Sequence, residues 1–307
     1  MSLSMPRQRP FRQVDVFSAQ PLRGNPLAVV LDGEGLSESQ MQAFASWTQL
    51  SETTFVLPPT PHGHAQGADY RVRIFTPGGE MPFAGHPTLG TAHAWLQAGG
   101  QPQACDRVVQ ECGVGLVTLR QQAGRYAFAA PALRRTTPSA DALAAVLQAL
   151  SLTPQQVLAA QDLDNGPHWL GLLLTDVDTV LSLEPDHAAL ARLGIKVGVA
   201  ALREAAGGLI RRRSREARAF AGHSDSTDLE VRAFAAATGI AEDPVTGSLN
   251  AALAQWLIAE GHLPARYSAR QGTALGRAGE VFVNQDASGQ VWIGGDVSNC
   301  ICGDVLL

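Results

Sequence analysis

Two phrases of this sequence place a titratable residue, a proline, a glycine and a hydroxyl residue in the same order. One begins at His86 and reads His-Pro-Thr-Leu-Gly-Thr; the other begins at Asp243 and reads Asp-Pro-Val-Thr-Gly-Ser. An imidazole and a carboxylate can each take up and release a proton during a reaction. Because the phrases lie about half of the 307-residue chain apart, they predict two similar lobes, each with a helix start that carries one titratable group.

The glycine and hydroxyl residues of these phrases favour the binding of an anion. The first turn of a helix has backbone N–H groups without partners and a partial positive charge. Gly85 and Gly247 would let a carboxylate approach these groups, and Thr91 and Ser248 would add hydroxyl donors. Two such helix starts facing each other would bind a small carboxylate substrate in a cleft and stabilise an enolate-like charge on it.

Glu52 is the third candidate for proton transfer. It lies between a predicted helix and an apolar strand, where burial would raise the pKa of its carboxyl group toward neutrality, as general acid–base catalysis at carbon requires. Three alternatives stay open: Glu52 as an exposed loop residue, Asp243 as a helix N-cap and His86 as a buried structural histidine. His93 and Asn250, at matching places inside the two helices, are interpreted as structural.

Hydrophobic periodicity and turn residues predict a mixture of strands and helices around these candidates. The predicted strands cover 11–17, 27–31, 51–57, 70–75, 107–111, 115–120, 126–130, 169–174, 229–234, 280–284 and 290–293. The predicted helices cover 37–50, 87–98, 140–150, 153–160, 185–193 and 244–260, and 77–85 is predicted as a loop. Mixed strands around buried helices indicate the α+β fold class.

Composition excludes several classes of partner. The chain is long enough for two domains, and its net charge of −5 argues against nucleic acid or an anionic membrane as the main partner. The basic run from Arg211 to Arg215 is interpreted as a solvated surface segment because no aromatic residues interleave with it. We expect a cytoplasmic protein, since no long apolar run or signal peptide is visible and cysteines are few.

The four cysteines and the glycine-rich segments predict neither a metal nor a cofactor. No cysteine has a partner at zinc-ligand spacing, and Cys300 and Cys302, two apart in a predicted strand, are expected to point into a core. Cys112 lies at a strand turn, so no catalytic role is predicted for it. The glycine-rich segment from Gly272 to Gly279 neither follows a predicted strand nor begins a predicted helix. This argues against a dinucleotide site. Cofactor-free proton transfer is the chemistry that remains.

The chain resembles the PhzF family, which comprises the phenazine-biosynthesis isomerase and its homologues. The phrases that carry the resemblance lie at 14–17, 24–26, 51–56, 83–90, 239–248, 271–272 and 276–279. The resemblance implies the diaminopimelate epimerase fold, with two pseudo-symmetric lobes that each curl a mixed or antiparallel sheet around a central helix. The N-terminal lobe is expected at 11–128, completed by 291–307, and the C-terminal lobe at 129–290. A homodimer without a cofactor is also implied.

The same resemblance implies roles for the candidate residues. Glu52 matches the acid/base that moves a proton between carbons, while His86 and Asp243 match groups that polarise the substrate and relay the proton. The positions that match the family's substrate-binding residues are Gly85, Gly247 and Ser248. Diaminopimelate epimerase itself uses a cysteine from each lobe, and neither loop here holds one, which disfavours two-thiol racemisation. The alternative is a protein that kept the fold and binds a small ligand or a partner without catalysis.

Overall fold

The computed structural model describes residues 6–122, 124–203 and 227–307. The basic run from Arg211 to Arg215 lies outside these ranges. The chain folds as two compact units: an N-terminal lobe that ends at Ala130 and is completed by Trp292–Leu307, and a C-terminal lobe, Pro131–Val291. Among the described residues, no helix has the length and hydrophobicity needed to span a bilayer.

The described residues form eighteen strands and seven α-helices. The strands are β1 (Gln8–Val16), β2 (Asn25–Val30), β3 (Thr53–Leu57), β4 (Tyr70–Thr76), β5 (Gly79–Met81), β6 (Arg107–Cys112), β7 (Gly115–Gln122), β8 (Arg125–Ala129), β9 (Arg134–Thr136), β10 (Val157–Asp164), β11 (His168–Leu174), β12 (Val197–Leu202), β13 (Leu229–Ala235), β14 (Ile240–Asp243), β15 (Arg266–Gln271), β16 (Gly279–Gln285), β17 (Val291–Gly295) and β18 (Val297–Leu306). The helices are α1 (Glu38–Thr48), α2 (Pro61–Ala65), α3 (Gly85–Gln97), α4 (Ala140–Ala149), α5 (Val177–Ser182), α6 (His187–Leu193) and α7 (Gly247–Ala259).

The strand pairings repeat between the lobes. In the N-terminal lobe, β1–β2 is antiparallel, β2–β3 parallel, β3–β4 and β4–β5 antiparallel, β4–β6 parallel and β6–β7 antiparallel. The C-terminal lobe shows the same series from β10 to β16. Helix α3 follows β5 and α7 follows β14, so the inner helices also correspond. The predicted fold of two pseudo-symmetric α+β lobes is confirmed.

Helix α3 lies inside the sheet of its lobe. It packs against β1, β2 and β3. It also packs against β18, which pairs with β1, and against β8, which pairs with β7 on the far side of the lobe's sheet, so the sheet curls around the helix. Its first eight residues are all buried. Gly90 allows this close packing, because a Cβ there would lie 2.6 Å from a methyl group of Leu27 and 2.8 Å from one of Val16. Helix α7 is equally buried in the other lobe.

A second helical layer covers the outer face of each sheet. In the N-terminal lobe, α1 packs Phe44 edge-on against Phe55, which in turn packs edge-on against Phe75. In the C-terminal lobe, the core between the sheet and its outer helices includes Val146, Val180 and other fully buried aliphatic residues. Burying both faces of a sheet requires nearly continuous apolar strands, and β11 has that character.

Three expectations about local structure are wrong. The segment 153–160 is not a helix: a 3-10 turn, Pro154–Gln156, leads into β10, whose backbone pairs with β9 and β11 on its two sides. The loop predicted over 77–85 contains β5, which pairs with β4. Cys302 is exposed and Cys300 is only partly buried, because β18 turns this stretch toward solvent. Arg12 on the neighbouring strand donates a hydrogen bond to the sulfur of Cys302.

Candidate active site

Glu52 and His86 lie side by side in the N-terminal lobe. The distance between Glu52 Oε2 and His86 Nε2 is 3.5 Å, and the two side chains are 14% and 5% exposed. Both of these atoms are buried. The alternative of an exposed loop glutamate is therefore wrong, and a carboxyl group and an imidazole share a site from which water is largely excluded.

Burial sets the protonation state of His86. It lowers the pKa of the imidazole to about 3, and a hydrogen bond to the carbonyl of Pro26 opposes this shift only in part. The ring is therefore neutral at pH 7. Because the Nε2 atom faces Glu52, we assign the N–H that binds Pro26 to Nδ1. Nε2 then carries a lone pair and can accept a proton or a hydrogen bond from the carboxyl group.

A tight turn presents the Pro26 carbonyl to His86. One oxygen of the buried Asp15 carboxylate accepts hydrogen bonds from the backbone N–H groups of Arg23 and Gly24, each at 2.7 Å. Only glycine fits at 24, since a Cβ there would lie 2.1 Å from the Val16 carbonyl oxygen. The phrases at 14–17 and 24–26 thus position a hydrogen-bond acceptor for the His86 imidazole.

Buried hydroxyl groups join α3 to the strand that follows Glu52. Thr91 donates a hydrogen bond of 2.9 Å to the hydroxyl of Thr54 in β3, which donates in turn to the carbonyl of Ala28. Thr91 is completely buried. Its predicted role as a hydroxyl donor to the substrate is wrong, because its hydrogen is used inside the lobe. The bond instead fixes the middle of α3 to the strand that follows Glu52.

In the structure, Asp243 does not lie at the helix start. It is the last residue of β14, and α7 begins at Gly247 with Thr246 at the N-cap position, so the N-cap alternative for Asp243 is wrong. The Asp243 carboxylate accepts a hydrogen bond of 2.6 Å from the Thr246 hydroxyl. Glu242, the residue before it, makes a two-pronged ion pair with Arg232, which anchors β14 on β13.

A buried glutamine, missed by the sequence analysis, holds the loop from Asp243 to Thr246. Gln271 donates to the Asp243 carbonyl at 2.9 Å and accepts from the Thr246 backbone N–H at 3.0 Å and from the Asn250 amide at 2.8 Å. It is fully buried. The neighbouring Gly272 has a φ of +90°, and a Cβ there would lie 2.7 Å from the Pro244 carbonyl oxygen. Together these residues fix the backbone that carries Asp243.

Gly85 and Gly247 are the buried first residues of α3 and α7, two helices of 13 residues each. The second residues are His86 and Ser248. The structure therefore matches His86 with Ser248, and not with Asp243 as the repeated phrases suggested. Ser248 is partly exposed; its hydroxyl oxygen accepts a hydrogen bond of 3.3 Å from the Trp169 indole.

The remaining candidates take structural places. Asn250 is buried and bonded to Gln271 and to the Thr246 carbonyl, as interpreted from the sequence. Cys112 ends β6 at a turn, and burial raises the pKa of its thiol, which disfavours the nucleophilic thiolate. Within 6–122, 124–203 and 227–307, no group of three or more His, Cys, Asp or Glu side chains is arranged to hold a metal ion.

Comparisons with known proteins place the chain in one family. Residues 14–298 match the profile of the PhzC-PhzF family, described as phenazine biosynthesis-like protein. Antisense-enhancing sequence 1 of Schizosaccharomyces pombe is 34% identical over 95% of this chain and 97% of its own length. The trans-2,3-dihydro-3-hydroxyanthranilate isomerase of Pseudomonas aeruginosa is 32% identical over 90% of each chain.

Solved structures agree on the fold. A PhzF-family protein of Bacillus anthracis superposes with a TM-score of 0.79 at 21% identity, covering 98% of this chain and 100% of its own. The chain belongs to the PhzC-PhzF family. The predicted resemblance is confirmed, and so is the prediction of an isomerase at the level of the family.

Proposed function

We propose that this protein is an isomerase that moves a proton between carbon atoms of a small carboxylate, with Glu52 as the acid/base and without a cofactor. The observation that carries the proposal is the buried pair of Glu52 and a neutral His86, 3.5 Å apart. A general base at carbon works best when it is sheltered from bulk water, and the Glu52 carboxyl group, 14% exposed beside an imidazole, meets this requirement.

The proton that leaves the substrate is returned to it, so the proton balance of the reaction closes. Glu52, as a carboxylate, takes a proton from a carbon next to the carbonyl or carboxylate of the substrate. The resulting carboxylic acid donates a hydrogen bond to the lone pair of His86 Nε2, which holds the proton while the substrate's double bond shifts. The proton then returns from Glu52 to a different carbon, with Asp243 as the proposed relay, so that no atom is gained or lost.

The other predicted site residues receive roles that follow from their surroundings. Gly85, Gly247 and Ser248 provide N–H and hydroxyl donors at helix starts, which suit a substrate carboxylate and the charge that develops beside it. Asp243, held by Thr246, is proposed to polarise the substrate and relay the proton. We also propose that the protein is a homodimer and that it is cytoplasmic. Light scattering would detect the dimer as twice the 32.4 kDa of one chain.

Deuterium incorporation from D₂O, followed by NMR, tests the reaction. The panel consists of small cyclic and amino carboxylates and includes trans-2,3-dihydro-3-hydroxyanthranilate, the compound in the name of the Pseudomonas relative. The wild type should introduce label at carbon into at least one compound, and Glu52→Gln should not. Glu184→Gln, which makes the same change at an exposed residue, should behave as the wild type.

A non-catalytic binding protein is the second candidate. The observation that favours it is the name of the Schizosaccharomyces relative, which describes no chemical reaction although that protein is 34% identical to this chain. If no compound gains label while some raise the melting temperature of the protein, the binding function replaces catalysis. Label introduced equally by the wild type and by Glu52→Gln would instead exclude Glu52 as the acid/base.

A further inference from the structure

Trp169 controls which way the hydroxyl group of Ser248 can point. The indole Nε1 lies 3.3 Å from Ser248 Oγ and can only donate a hydrogen. The bond occupies one lone pair of the hydroxyl oxygen, so the hydroxyl hydrogen must point elsewhere. Ser248 is the second residue of α7, where the backbone N–H groups also lack helical partners. The hydroxyl therefore joins these groups as a donor.

Asn165 holds the same residue from its backbone. Its amide Nδ2 donates a hydrogen bond of 2.9 Å to the Ser248 carbonyl, and the side chain is only 6% exposed. The other amide atom, Oδ1, is buried and has no hydrogen-bond partner within the described part of the chain. A buried acceptor left in this state costs free energy, which is commonly recovered when a ligand or water supplies the donor. One buried acceptor close to Ser248 is thus left for a donor from a bound molecule or a water.

Burial and a neighbouring cation restrict the indole ring beside Ser248. Trp169 is 3% exposed, and the Lys196 ammonium lies 4.9 Å from the centre of its ring, in the position of a cation–π contact. Lys196 is carried by the backbone next to β12, which pairs with the strand of Trp169. The N–H of the indole is therefore held in place before any ligand arrives.

We propose that Trp169 is a positioning residue that fixes the Ser248 hydroxyl as a hydrogen-bond donor to the carboxylate of the substrate. This inference rests on the proposed function, in which the start of α7 binds that carboxylate. Trp169 itself touches no reacting atom. Its contribution lies in the orientation of a donor, so its loss should weaken binding more than it slows the chemical step.

The matched variants are Trp169→Phe and Trp256→Phe. Each removes an indole N–H and keeps an aromatic ring at a buried position, but the Nε1 of Trp256 has no hydrogen-bond partner among the described residues. With the carboxylate that carries label in D₂O, Trp169→Phe should raise KM about fivefold while kcat stays within about twofold, the size expected for one oriented hydrogen bond. Trp256→Phe should leave KM unchanged.

The hydrogen bond itself can be observed without any substrate. In a ¹H–¹⁵N spectrum, the indole resonance of Trp169, assigned through its Phe variant, should shift and exchange faster with solvent in Ser248→Ala. The indole resonance of Trp256 should not move. An unmoved Trp169 resonance would overturn the inference whether or not the protein is an isomerase.

The remaining outcomes separate the inference from the proposed function. If no compound gains label, the same variants are compared by calorimetric titration with the carboxylates of the panel. A fivefold weaker affinity for Trp169→Phe alone then supports the positioning role in a binding protein, although the isomerase proposal has failed. Equal affinities, or no binding of any carboxylate by the wild type, would refute it.

Discussion

Gln110 and Gln271 occupy the same place in the two lobes. Each is fully buried on the strand that follows the inner helix, and each bonds to the fourth residue of that helix. Gln110 donates to the hydroxyl of Thr88 at 2.8 Å, and Gln271 accepts from the amide of Asn250 at 2.8 Å. The duplication thus extends from the strand pairings to the buried polar contacts that hold each helix start.

Replacing Gln271 by leucine should destabilise the protein by about 2–4 kcal/mol, because the Thr246 N–H and the Asn250 amide would lose a buried partner. Urea unfolding followed by circular dichroism measures the change. Gln148→Leu, on the exposed face of α4, serves as the control and should stay within about 0.5 kcal/mol of the wild type. A loss below about 1 kcal/mol for the buried variant would contradict the role of Gln271.

Stability should fall in acid because of His86. The folded-state pKa of His86 is about 3, below its ordinary value of 6.5. Below pH 6.5 the unfolded chain therefore binds a proton at His86 that the folded chain does not bind. The stabilisation is present above pH 6.5 and is lost at up to about 1.4 kcal/mol per pH unit as the pH falls toward 3.

The measurement compares unfolding free energies of the wild type and His86→Gln between pH 7 and about 4, where the variant should show the shallower slope. His168→Gln changes an imidazole that is 54% exposed, and it should follow the wild type. A histidine resonance of His86 that titrates near pH 6 would contradict the effect of burial.

Local signals in the sequence were sufficient where one short segment decides the structure. Ser37 caps α1 and exchanges hydrogen bonds with Gln40, a pattern readable from four residues. The prediction of a helix over 153–160 failed because the strand there depends on pairing with β9 and β11, and local propensity does not encode this pairing.

The site was predictable in its residue types and less so in its geometry. Glu52 and His86 were candidates from the sequence, but their 3.5 Å approach depends on the turn at Asp15 and on the contact between Thr91 and Thr54. The paired glutamines carried a weak signal: each follows the glycine that starts its helix by a similar interval, 110 − 85 = 25 and 271 − 247 = 24 residues. Gln271 also lies in the phrase at 271–272 that carries the family resemblance, whereas nothing else in the sequence marks Gln110.

Asp243→Asn should separate catalysis from stability. The amide keeps an oxygen that can accept the hydrogen bond from Thr246, so unfolding should change by less than about 1 kcal/mol. The variant cannot take up and release a proton, and kcat should fall about 100-fold in the deuterium assay. Asp106→Asn, at a side chain that is 73% exposed, should keep full activity. Unchanged kcat in Asp243→Asn would remove Asp243 from the catalytic residues.

Alanine at two glycines should show how the Asp243 loop is held. At Gly272 a methyl group meets both a φ of +90° and the Pro244 carbonyl oxygen at 2.7 Å, whereas at Gly276, with a φ of +69°, no atom lies within 4 Å. Left-handed backbone costs alanine about 1–2 kcal/mol, and the clash adds to it only at Gly272. We therefore expect about 1 kcal/mol of destabilisation for Gly276→Ala and about 3 kcal/mol for Gly272→Ala. Urea unfolding measures both.

Because the clash displaces the backbone next to Asp243, Gly272→Ala should also lower kcat. Equal effects of the two variants would show that this contact does not hold the loop.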